Sequence, residues 1–276
     1  MTDRDQLRLP LDASKLRSEA IDSGWRQLDV VDETGSTNAD LLARAAAGAD
    51  IEGAVLIAEH QTAGRGRLGR GWSATARAQI TMSVGVRVDG VPTATWGWLS
   101  LATGLAVVDT VTPLLDGTAA QAGLKWPNDV LAGPPGSLGK LAGILAEVAM
   151  PYAVIGIGLN VTQAPDEIAG PTATSLLDLG VPAPDRNELA ARLLRELAAR
   201  IDEFRRAHSR LSADYRARSL TIGSCVRAQL PGGREIVGIA RDIDEQGRLR
   251  LQTTPDEAGK SGETVVVAAG DVVHLR

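Results

Sequence analysis

The chain has 276 residues, of which 44% are hydrophobic, so a disordered or collagen-like protein is excluded. Its net charge of −5 argues against non-specific duplex binding, which needs a basic face. Cys225 is the single cysteine, so no internal disulfide framework is possible, and it reads as a small hydrophobe.

The first residues, Met1-Thr2-Asp3-Arg4-Asp5-Gln6, lack a basic-then-apolar leader, and no apolar run is long enough to span a bilayer. A cytoplasmic protein that avoids membranes is expected. Asp12 to Ser23 reads as a short helix, with no room for a helix-turn-helix before the next motif. Trp25 to Val31 reads as a strand. Ser36, Thr37 and Asn38 then stand where a helix cap belongs, ahead of a helix from Ala39 to Ala47 that Gly48 ends. Their hydroxyl and amide groups also suit a neutral polar ligand.

Ala54 to Glu59 is apolar and reads as a buried strand. It feeds Gln61-Thr62-Ala63-Gly64-Arg65-Gly66-Arg67-Leu68-Gly69-Arg70-Gly71-Trp72, the most unusual stretch of the chain. Glycine lets backbone amides approach a ligand closely, and arginine adds donors that suit carboxylate and phosphate. On these residues alone, a solvated loop or a nucleic-acid-binding segment of the RGG kind is equally allowed. Gln79 to Val88 alternates and reads as a strand, and Trp96 to Leu115 as a core helix.

Lys125-Trp126-Pro127-Asn128-Asp129 sets a cation, an aromatic, an amide and a carboxylate around a proline. It reads as a turn, or as a phosphate-facing lysine with a carboxylate for magnesium. Val130 to Leu138 reads as a loop. Gly139 to Val148 and Ala153 to Val161 read as antiparallel strands. Lys140 either snorkels at the sheet rim or points at an anion. Gly156 and Gly158 suggest close approach of a ligand or another backbone. Gly180 fits a helix stop. Leu189, Leu193, Leu194, Leu197, Ile201 and Phe204 mark the clearest helix, a pattern that Leu211 and Tyr215 extend past His208.

From Leu220 the composition changes. Val226 to Leu230, Glu235 to Ile243, Arg248 to Gln252 and Thr264 to Val267 read as short strands. Pro231-Gly232-Gly233 and Asp244-Glu245-Gln246-Gly247 supply turns between them. This predicts a small antiparallel barrel and a division into residues 1–218 and 219–276. Histidines 60, 208 and 274 show no evident role.

Taken together, Gly-Ser-Thr-Asn at 35–38, the glycine–arginine loop, Lys125 to Asp129, Gly139-Lys140-Leu141-Ala142-Gly143-Ile144 and Gly156-Ile157-Gly158-Leu159-Asn160 resemble the biotin protein ligases. The resemblance covers about residues 25 to 276. It implies an α+β fold: a mixed sheet with flanking helices, as in class II aminoacyl-tRNA synthetase cores, and a C-terminal SH3-like barrel. It also implies formation of biotinyl-5′-AMP from biotin and Mg-ATP, then transfer of biotin to a lysine of a biotin carboxyl carrier domain of an acyl-CoA carboxylase. Arg67 and Lys140 are the implied catalytic residues. Ser36, Thr37, Asn38, Gln61, Gly64, Arg65, Gly66, Arg67, Lys140, Gly156 and Gly158 would meet biotin. Arg67, Arg70, Trp72, Lys125, Asn128 and Asn160 would meet ATP, and Asp129 would help hold Mg2+. Leu68 stands where the family often has arginine. Some relatives carry an N-terminal DNA-binding domain, and about 24 residues before the first motif leave no space for one, so no specific DNA binding is expected. A lipoate or octanoate ligase or transferase of the same fold is the alternative, followed by an RGG-type binding module.

Overall fold

Twelve strands and six α-helices can be traced in a computed structural model that describes residues 3–167, 173–230, 233, 235–253, 262–268 and 270–275. A one-turn helix α1 (Asp3–Gln6) precedes α2 (Ala13–Asp22), whose first amides donate to the side chain of Asp12. The first seven strands are β1 (Gln27–Thr34), β2 (Ala54–Gln61), β3 (Gln79–Arg87), β4 (Gln121–Lys125), β5 (Asp129–Gly133), β6 (Gly139–Ala149) and β7 (Tyr152–Asn160). They form one sheet in the order β1-β2-β3-β7-β6-β5-β4, with β1 and β2 parallel and every other pair antiparallel. The expected mixed sheet is therefore present.

Helix α3 (Thr37–Ala46) joins β1 to β2, and Gly48 turns the chain after it at φ 86°. Helix α4 (Gly97–Val111) is buried on nearly every side. Contrary to the expectation that no apolar run is long enough to span a bilayer, the 18 residues Gly97–Leu114 are apolar and long enough to do so, but 67% of them are buried inside the fold. Helix α5 (Arg186–Arg205) lays Leu189, Leu193, Leu197 and Phe204 against that core.

Four more expectations need correction. Val130 to Leu138 is not all loop: β5 runs to Gly133, where an added Cβ would lie 2.3 Å from the Ser137 carbonyl oxygen. The apolar spacing after His208 belongs to a separate helix, α6 (Ser209–Arg218). Ala207 breaks α5 with φ 49°, and the His208 side chain then caps α6 by accepting from the Arg210 amide at 3.1 Å. Gly180 (φ 89°) closes a turn that no helix precedes. The first strand starts and ends later than Trp25 to Val31.

Strands β8 (Cys225–Gln229), β9 (Glu235–Ile243), β10 (Leu249–Thr253), β11 (Thr264–Val267) and β12 (Asp271–His274) form a second, antiparallel sheet. The last of these went unforeseen, because Asp271 to His274 become a strand by pairing with β8. Pro231 and Gly232 lie outside the described residues. One hydrophobic core runs from the large sheet through α4 and α5 to Val226, Ile243 and Leu251 of the small one. The turn between β9 and β10 meets two indoles: Trp98 Nε1 donates to the Glu245 carbonyl and Trp126 Nε1 to the Gly247 carbonyl, each at 3.0 Å.

Candidate functional site

A cleft of about 730 Å3 opens over β3, β6 and β7, bounded by the start of α3, the glycine–arginine loop, the β4–β5 turn and the edge strand β12. Every residue expected at the site lines it except Gly64.

One wall is neutral and polar. Ser36 caps α3, so Thr37 and Asn38 begin its first turn and face the sheet, both buried. Gln61 Oε1 accepts from the Thr37 amide at 2.8 Å and from its hydroxyl at 3.1 Å. The Thr37 hydroxyl lies 2.7 Å from that of Ser83, which donates to Asn38 Oδ1 at 2.6 Å. Asn38 Nδ2 donates to the Leu145 carbonyl (3.2 Å) and to Glu147 Oε2 (2.9 Å). The floor is glycine. A Cβ on Gly156 would lie 2.3 Å from Asn38 Oδ1, and one on Gly158 2.3 Å from Trp72 Cε2. The glycines in these strands thus answer to side chains packed directly on the backbone.

The loop is a tight hairpin. Gly64 accepts from the Trp72 amide at 2.8 Å, and the Gly66 amide donates to the Arg70 carbonyl at 2.7 Å. Gly64 does not line the cleft; an added Cβ there would lie 2.2 Å from the Trp72 carbonyl oxygen and 2.6 Å from Gln61 Nε2. Leu68 (φ 56°) and Gly69 (φ 73°) turn the tip, and the Leu68 side chain is exposed. Trp72 folds back into the cleft. Its Nε1 donates to Gln79 Oε1 at 2.8 Å, and Gln79 Nε2 donates to Asn160 Oδ1 at 2.6 Å.

The opposite end is charged. Lys140 Nζ lies 2.7 Å from Asp129 Oδ1 and 5.4 Å from the centroid of the Trp72 ring. Lys125 Nζ is 3.9 Å from the same carboxylate. Burial pushes the Lys125 ammonium below its ordinary value; Asp129 opposes the shift, while Lys140 and Arg70 reinforce it. Arg67 donates to Asn128 Oδ1 (3.1 Å) and to the Gly270 carbonyl (3.2 Å), and burial likewise lowers its pKa. Arg70 pairs with Asp271 of β12 and Arg65 with Glu147 of β6. Among the described residues no group of three His, Cys, Asp or Glu side chains is arranged to hold a metal ion. Asp129 is engaged by two lysines, so these residues do not fit a magnesium ion caged by protein alone.

Gln79, Ser83, Glu147 and Asp271 are the site residues that sequence reasoning missed. Gln79 and Ser83 sit on one face of the alternating strand β3, a signal that could have singled them out.

Known proteins resemble this chain in sequence and in fold. A model described as the Biotin/lipoate A/B protein ligase family matches residues 36–160, and one described as the Biotin protein ligase C terminal domain matches residues 221–275. The chain is 69% identical to a Biotin--[acetyl-CoA-carboxylase] ligase of Mycobacterium tuberculosis over the whole of both chains. The chain belongs to the biotin protein ligase family. It is also 34% identical to the Bifunctional ligase/repressor BirA of Escherichia coli, over 82% of this chain and 68% of that one. Among solved structures, the biotin protein ligase of Aquifex aeolicus in complex with biotin and ATP superimposes with a TM-score of 0.74 at 25% identity, covering 91% of this chain and 100% of that one. This family member thus joins a neutral polar wall to a cationic end within one cleft.

Proposed function

We propose that the chain is an ATP-dependent, AMP-forming biotin–[acetyl-CoA-carboxylase] ligase with Mg-ATP and biotin as substrates. One observation carries the reading: a neutral polar wall and a cluster of cations share one glycine-floored cleft. Biotin has a neutral ureido head and an anionic tail, and it fits that polarity end to end. The Thr37 and Ser83 hydroxyls have two protons for three oxygen–oxygen contacts, to Gln61, to each other and to Asn38. A ureido group offers both N–H donors and a carbonyl acceptor, which suits the hydroxyl and amide groups of this wall.

In the first step a biotin carboxylate oxygen attacks the α-phosphorus, and the bond to pyrophosphate breaks. Both partners are anions, so positive charge must already stand between them. Lys140 and Arg67 are assigned there, with Asp129 holding Lys140 in place. Arg70, Lys125, Asn128, Asn160 and Trp72 are assigned to the nucleotide, and Arg65 with the loop backbone to the adenylate. In the second step a carrier lysine amine attacks the acyl carbon, an amide forms, the amine loses a proton and AMP leaves. Holding the reactants in line accounts for much of the acceleration, and the loop shields the mixed anhydride from water. A biotin carboxyl carrier domain of acetyl-CoA carboxylase is the proposed acceptor.

The test is pyrophosphate release from ATP with biotin, with lipoate and with neither, followed by addition of a carrier domain. Biotin-dependent release and a biotinylated carrier are expected. Release with lipoate alone would move the substrate to lipoate on the same fold.

A further inference from the structure

Glu147 sits between two parts of the site that are far apart in sequence. Its Oε2 accepts from Asn38 Nδ2, in the neutral wall, at 2.9 Å. Its Oε1 pairs with Arg65 in the glycine–arginine loop. Asn38 is buried, and both of its Nδ2 protons are committed, to Leu145 and Glu147, while Oδ1 accepts from Ser83. The carboxylate is thereby fixed on the wall side. On the loop side it meets a half-exposed guanidinium, with Arg65 side-chain exposure of 43%. Arg65 is bridged to Gly71, so the pair acts on the whole base of the hairpin.

We propose that Glu147 is a positioning residue that ties the loop to the wall that receives the ligand's neutral head. The proposal rests on the ligase reading above. Neither contact of Glu147 reaches Lys140 or Lys125, so the residue acts on how well the loop holds biotin more than on the charge at phosphorus. A ligand that displaces or reorients Asn38 moves the carboxylate, and Arg65 with it. The head of the substrate thereby gains a direct mechanical link to the loop.

The experiment compares wild type, Glu147→Gln, Arg65→Gln and the double variant, in the full chain. Steady-state pyrophosphate release is followed as biotin is varied at saturating ATP. Each single variant is expected to raise the KM for biotin about fivefold, the size appropriate to a charge-assisted but half-exposed contact, with the rise in KM outweighing any fall in kcat. The double variant is expected to match the worse single one, because one interaction is removed twice. Limited trypsin treatment without ligand is the second readout, with faster cleavage within 65–70 in Glu147→Gln than in wild type. Multiplying effects in the double variant, an unchanged KM or unchanged loop cleavage each overturn the proposal. Wild-type protein without biotin-dependent release overturns the ligase reading, and this inference with it; wild-type release with multiplying variants overturns the inference alone.

Discussion

Asp129 Oδ1 lies 2.7 Å from Lys140 Nζ, although in the β5–β6 register Asp129 pairs with Gly143 and Lys140 with Leu131, across a register shift. The carboxylate holds the ammonium at the cleft surface, where a half-exposed lysine would otherwise sample many rotamers. Lys140→Ala is therefore expected to lower adenylation by about 100-fold or more, in line with loss of a preorganised charge. Asp129→Asn is expected to lower it about tenfold by loosening the same charge. Pyrophosphate release measures both. Near-normal rates in Lys140→Ala would remove that residue from the chemistry.

Gly158 gives a sharper test of the floor. An added methyl would meet the Trp72 ring at 2.3 Å, too close for any rotation of the side chain to relieve at no cost. Gly158→Ala should displace the indole from Gln79 and weaken substrate binding, at about 1–3 kcal/mol for overpacking. A shift in tryptophan emission together with a raised KM is the expected result. Unaltered emission would mean that the indole is not seated there in solution.

Arg186 and Glu59 form an ion pair buried on both sides, at 2.7 Å. Arg186 also donates to the Gln79 carbonyl and, at 2.6 Å, to the Leu9 carbonyl. Removing one partner leaves a buried charge without a counter-ion. Arg186→Met should cost about 3–5 kcal/mol, measured by denaturant unfolding. The Glu59→Gln, Arg186→Met double variant should recover part of that loss.

His274 supplies the pH dependence. Its Nε2 lies 3.1 Å from Thr221 Oγ1, which accepts from the Trp126 amide at 3.0 Å. Burial, and then Lys125, hold its pKa below the ordinary 6.5. The folded state thus favours the neutral ring, and the unfolded chain takes up its proton first as pH falls. Stability is expected to drop as pH falls through about 6.5, and the loss levels off below the folded-state pKa. Melting temperatures at about pH 7.5 and about pH 5.5 check this, since His274→Gln should show a smaller difference than wild type. An equal difference in both proteins would remove His274 as the cause.

Much of this site was legible in the chain because its parts are local. Ser36 precedes a helix, the glycines and arginines stand in one loop, and Lys140 breaks an apolar strand, so each is conspicuous where it stands. The residues that went unread draw their meaning from distant partners. Glu147 is an ordinary strand residue until Arg65 and Asn38 are brought to it, and Asp271 until Arg70 folds across the cleft. The same holds for β12, which exists because β8 offers it an edge. Helix α5 was overextended because the apolar spacing runs on past a break that rests on a single backbone angle, at Ala207.

The grip of Trp98 and Trp126 on the β9–β10 turn has a mechanical consequence. Gly97 faces the Gln246 carbonyl so closely that an added Cβ would lie 2.4 Å away, and one on Gly247 would lie 2.9 Å from the Gly97 carbonyl carbon. A joint of this kind does not hinge. The two sheets keep a fixed spacing, so the aperture between β12 and the large sheet is a built dimension. The glycine–arginine hairpin spans that aperture, with Arg65 paired to Glu147 of the large sheet and Arg70 to Asp271 of β12.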